Sequence, residues 1–140
     1  MDREELEHRI QHSKSSGIFY STDSDEYEGE IFVGKRAHPA LTLEDVDLVK
    51  PGTDVHKLLS DLSRNYPKTY KGMLEERQDA KERPISVFFA ETRRSVVEEQ
   101  CDPEPEDFRK KQLYYVRSIE EAEAILRSLG FSIADLKPMG

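Results

Sequence analysis

Glu91, Thr92, Arg93 and Arg94 follow directly on the apolar run Ile85-Ser86-Val87-Phe88-Phe89-Ala90, and their types and spacing suggest chemistry. Two guanidinium groups at the end of a strand can grip a phosphate or a carboxylate through paired hydrogen bonds. Strand ends of sheets are also where ligand sites often lie. Glu91 would supply a base beside them, and His38 a further ring nitrogen. Glu91, Arg93, Arg94 and His38 therefore form a candidate ligand site. The competing reading is a set of structural ion pairs, since an acidic stretch comes next in the chain.

That stretch is one of two. Asp23, Asp25, Glu26, Glu28 and Glu30 lie together without a base, and so do Glu98, Glu99, Asp102, Glu104, Glu106 and Asp107. The net charge of −8 is thus concentrated: residues 1–30 hold nine acids and three bases, whereas residues 31–90 hold nine acids and ten bases. Such a field disfavours direct binding to nucleic-acid phosphates or to an anionic membrane face. It suits a basic protein surface, and Asp23, Asp25, Glu26, Glu104, Glu106 and Asp107 are the residues expected to meet one.

Other chemistry is weaker. His8 and His12 stand four apart on a helical stretch, a spacing that lets two rings face one zinc ion, but no further ligand accompanies them, so no metal site is expected. The loop from Asp23 to Gly29 has carboxylates enough for calcium, yet Tyr27 and Glu28 stand where a short oxygen ligand and a glycine are needed. Cys101 sits among acids, which disfavours a reactive thiolate. There is no glycine-rich phosphate loop, no G-x-S-x-G and no H-E-x-x-H, so no cofactor is expected. Lys68, Lys71, Arg77, Lys81 and Arg83 gather around Tyr66 and Tyr70 in the one stretch that could meet nucleic acid or an acidic partner, but Glu75, Glu76 and Asp79 dilute it, and a salt-bridged helix face is the competing reading.

The elements that position these residues can be read from periodicity. At 140 residues the chain has the size of one domain, and its six Phe and six Tyr can offset the ordering cost that a purely polar chain cannot. Residues 3–14 predict a helix docked lightly through Leu6 and Ile10. Residues 17–20 and 31–33 predict a hairpin joined by a long acidic loop over 22–30. Thr42 to Val49 reads as a short helix or an irregular strand. Thr53 is placed to cap a helix over 54–65, where Val55, Leu58, Leu59 and Leu62 repeat at i, i+3, i+4 and i+7. Pro67 separates it from a second helix near 68–81.

Residues 85–90 predict an interior strand, and residues 98–107, with Pro103 and Pro105, an exposed loop. Leu113 to Val116 predicts another strand. Ser118 and Glu121 form a capping box opening a helix that Gly130 ends, and residues 131–134 predict a return strand. The expected fold is α+β: one mixed sheet, an N-terminal hairpin, a central helix pair and a C-terminal β-α-β unit.

A single cysteine excludes an intramolecular disulfide, and no stretch has the character of a signal peptide or a bilayer span, so a reducing, cytoplasmic setting is expected. Function is expected to be noncatalytic protein binding, as an inhibitor, an immunity-type neutraliser or a regulatory adaptor, through the acidic surface. Mimicry of nucleic acid is the special case in which both acidic blocks share one face. The alternative is a small enzyme or binder acting on a phosphorylated or nucleotide-like ligand through Glu91, Arg93 and Arg94.

Overall fold

The computed structural model describes residues 1–37 and 54–139. In chain order the elements are helix α1 (Arg3–Gln11), strands β1 (Ser15–Ser21) and β2 (Tyr27–Lys35), helices α2 (Asp54–Asn65) and α3 (Pro67–Glu82), strand β3 (Ile85–Arg93), a short helix α4 (Arg94–Glu98), strand β4 (Phe108–Val116), helix α5 (Ile119–Ser128) and strand β5 (Lys137–Met139). Single 3₁₀ turns lie at Pro105–Asp107 and Ile133–Asp135. The class is α+β, as expected. The readings made for Thr42 to Val49, for the Thr53 cap and for His38 lie outside the described residues.

The chain forms two compact units, one of residues 1–36 with 84–140 and one of residues 37–83. In the first, five strands are ordered β4-β3-β2-β1-β5, and every hydrogen-bonded pair is antiparallel. The mixed sheet of the sequence reading is therefore antiparallel in all its ladders. The β-α-β element spans the whole sheet: β4 and β5 occupy opposite edges and run in the same direction, with α5 between them in sequence. Residues 131–134 do not form the return strand, because Ser132 caps a 3₁₀ turn through Asp135, and the strand starts only at Lys137.

One sheet face carries the core. Strand alternation puts Ile18, Ile31, Val33, Ile85, Val87 and Val116 on that face, where they pack with Leu6 and Ile10 of α1 and with Ala122 and Leu126 of α5. Leu6 and Leu126 are fully buried, so α1 docks through few residues but deeply. Both helices are well terminated. The Asp2 side chain accepts from Glu5 N, the Ser118 side chain accepts from Glu121 N, and Glu121 Oε2 accepts from Arg117 N. At the other end of α5, Gly130 takes φ +92°, and Phe131 N donates to Leu126 O, the bond that closes a helix on a left-handed residue.

On the opposite sheet face Phe32 stacks on Phe88 and meets Phe19 edge-on, with ring centroids 6.3 and 5.7 Å apart. Phe88 is thus half-buried, and Val87 is the fully buried member of the pair.

The second unit holds α2 and α3, which pack on each other with Tyr66 between them in sequence and Pro67 at the first position of α3. Leu59 and Arg77 are buried there. Among the described residues no helix is long and apolar enough to cross a membrane.

Candidate functional site

In an antiparallel meander the β1–β2 and β3–β4 connections emerge at the same end of the sheet. This topology brings the two acidic blocks together. The strands extend further than the apolar runs suggested, which shortens the hairpin connection to residues 22–26. The register places Tyr27 opposite Arg93 and Glu28 opposite Thr92. Arg94 N donates to Glu26 O at 2.7 Å, so the first acidic turn is bonded to the start of α4.

Glu91 lies inside β3, two residues before its end, and not beyond it. Its row across the sheet is Tyr20, Gly29, Glu91 and Lys110. The ladder between β3 and β4 is irregular at Glu91/Thr92: Lys110 pairs with Glu91 and Phe108 with Thr92, so Arg109 is the extra residue of a bulge. Freed from the register, Arg109 reaches back over the row. Its Nε donates to Glu91 Oε2 at 2.6 Å, and its Nη2 donates to Asp23 Oδ1 at 2.6 Å. Its guanidinium also stands 5.0 Å from the centre of the Tyr27 ring. Lys110 Nζ lies 3.7 Å from Glu91 Oε1. Both oxygens of this buried carboxylate are therefore faced by cations.

Hydrogen bonding to Arg109, followed by its charge, holds the Asp23 carboxyl below the usual range. The same bonds raise Arg109, those to Asp23 first and Glu91 second. Burial, with the nearby Glu91 charge, raises the Tyr20 phenol. On the opposite face burial raises Glu30, against the hydrogen bond that Thr92 Oγ1 donates to it at 3.0 Å.

Glu91, Arg93 and Arg94 do not converge on one ligand position. Glu91 is engaged by Arg109 and Lys110, and Arg93 Nε lies 3.7 Å from Asp107 Oδ1. Arg94 opens α4 and forms no ion pair among the described residues. A groove of about 650 Å³ beside α1 and the start of α5 is lined by Ile10, Ile85 and Ile119 with Lys35 and Arg117, and by none of these three.

The acidic residues divide in the same way. Asp23 is held by Arg109, and Asp107 by Arg93 and by Glu104 N, which donates to it at 2.9 Å. Asp25, Glu26, Glu98, Glu99, Asp102, Glu104 and Glu106 are exposed, and none is in an ion pair among the described residues. The His8 and His12 rings lie 4.1 Å apart, and His12 Nδ1 is 2.8 Å from His8 O. No cluster of three metal-ligating side chains occurs among the described residues.

Sequence reasoning missed Arg109 as the organiser of this end. The run Arg109-Lys110-Lys111 directly after the second acidic block was the available signal, but alternation alone gives a bulged residue no partner. Comparison of the chain with protein-family models, curated proteins and solved structures returned no match.

Proposed function

We propose that the protein acts noncatalytically, by binding another protein through the acidic end of its sheet against a basic surface. One observation carries this reading: the topology gathers both acidic blocks at one end, where seven exposed carboxylates have no ion pair among the described residues. Carboxylates gathered at one end of a sheet repel one another, and a partner's lysines and arginines relieve that repulsion. Asp23, Asp107 and Glu91 serve the frame that presents them, through Arg109 and Arg93. Mimicry of nucleic acid is the form this takes if the partner's basic surface is a phosphate-binding groove.

The test is a pull-down with the tagged chain, followed by association kinetics against the partner it returns. One variant replaces Asp25 and Glu26 by Asn and Gln, and a second replaces Glu98, Glu99, Asp102 and Glu106 by Gln, Gln, Asn and Gln. Both leave the internal pairs in place. Each should slow association without lowering the melting temperature, and the wild-type on-rate should fall steeply as salt is added. Wild-type on-rates in both variants at low salt would remove the acidic end from the function.

A further inference from the structure

The helical unit carries a basic stretch of its own, and one of its residues stands apart. Lys68, Lys71, Lys81 and Arg83 are exposed, and Arg83 Nε is paired with Asp79 Oδ1 at 3.0 Å. Arg77 is 3% exposed, and its Nε, Nη1 and Nη2 are all buried without a hydrogen-bond partner among the described residues. The arginines at 3, 93, 109 and 127 each have a carboxylate within ion-pair distance.

The sequence explains why no internal partner is available from the helix. Arg77 occupies the apolar stripe of α3, in register with Tyr70, Met73 and Leu74. The positions that share its face at i±3 and i±4 are Met73, Leu74, Ala80 and Lys81, none of them acidic. Asp79 is engaged by Arg83, and Glu82 accepts from Gln78 at 3.2 Å.

A guanidinium keeps its charge and its five donors wherever it is placed, and buried donors without acceptors are strongly unfavourable. A core needs no arginine at such a stripe position, where Met or Leu would pack without that penalty. We infer that Arg77 is the anchor of an oxyanion site in the helical unit, completed when a carboxylate or phosphate group from outside enters and is bound by the fork of the guanidinium. Lys81, one helical turn on, adds a second positive charge for the same anion. The helix pair opens locally to admit it. This site takes ligands opposite in charge to those proposed for the acidic end.

The experiment uses the whole chain, melted and titrated calorimetrically in inorganic phosphate, sulfate and acetate, each against sodium chloride of equal ionic strength. At least one oxyanion should raise the wild-type melting temperature saturably. A response to phosphate and sulfate but not acetate assigns the site to phosphorylated ligands, and a response to acetate extends it to carboxylates. Arg77→Met should bind that anion roughly tenfold or more weakly, the loss expected for a pair of charge-assisted hydrogen bonds. In chloride alone it should melt no lower than the wild type. Arg77→Lys, which keeps the charge without the fork, should fall between the two. Three results would overturn the assignment: no response to any oxyanion, an equal response in Arg77→Met, or an Arg77→Met protein that is less stable in chloride, which would mean that Arg77 has an internal partner.

Discussion

Arg109 Nε donates to Glu91 Oε2 at 2.6 Å although the residue opposite Glu91 in the ladder is Lys110. The bulge that makes this possible also lets Arg109 reach Asp23, so one guanidinium ties the β1–β2 turn to β3. Replacing Arg109 by Met leaves a buried carboxylate with Lys110 as its remaining cation and should lower the urea midpoint clearly. Adding Glu91→Gln to that variant should recover part of the loss. A double-mutant cycle on these two residues should therefore show strong coupling, and additive effects would mean that the pair does not organise this end.

Gly29 lies under the Tyr20 ring, and a Cβ there would overlap that ring. Gly29→Ala should destabilise the protein by about 1–3 kcal/mol, the range for forcing atoms into packed space. Gly72 is the contrast, since a Cβ added there meets nothing within 4 Å. Gly72→Ala, in the middle of α3, should stabilise by about 0.5–1 kcal/mol in the same unfolding assay.

Periodicity made the helices legible because their stripes and caps are local. The 54–65 stripe, the Ser118 and Glu121 pair and the Gly130 stop each correspond to an element found in place. The strands were legible as apolar runs but not in extent, since β4 begins with Phe108-Arg109-Lys110-Lys111, an exposed edge whose charges look like loop. The acidic blocks were legible as composition. That they share one end follows from strand order, which depends on pairings far apart in sequence. The Glu91 and Arg109 contact depends on a bulge, and a bulge leaves no periodic trace.

The core should show the difference between the two sheet faces. Leu126 is fully buried against the strands, so Leu126→Ala should cost about 2–5 kcal/mol. Phe88, which its apolar run presents as a core residue, is half-buried on the opposite face and should cost less than Leu126 when cut to Ala, despite its larger side chain. Urea unfolding of both variants decides this, and a larger loss at Phe88 would shift the main core to the aromatic face.

Stability should depend on pH with two opposed limbs. The Asp23 and Glu123 carboxyls are held below their usual range, Asp23 by its hydrogen bond to Arg109 and Glu123 by its hydrogen bond to Arg3. Groups lowered in this way contribute stability that is complete above the unfolded-state value, about 4 for a carboxyl, and that is lost as pH falls through the folded value. Glu30 has the opposite sign, because burial raises it. Its contribution is complete below the unfolded value and is lost as pH rises through the folded one. On acidification from neutrality the chain should first hold or gain a little stability as Glu30 takes up its proton, then lose stability as Asp23 and Glu123 do. Urea midpoints measured from about pH 3 to about pH 7 should follow that course. Glu30→Gln should flatten the upper limb, and Asp23→Asn should make the lower limb shallower. If Glu30→Gln leaves the upper limb unchanged, burial at that position does not govern its proton.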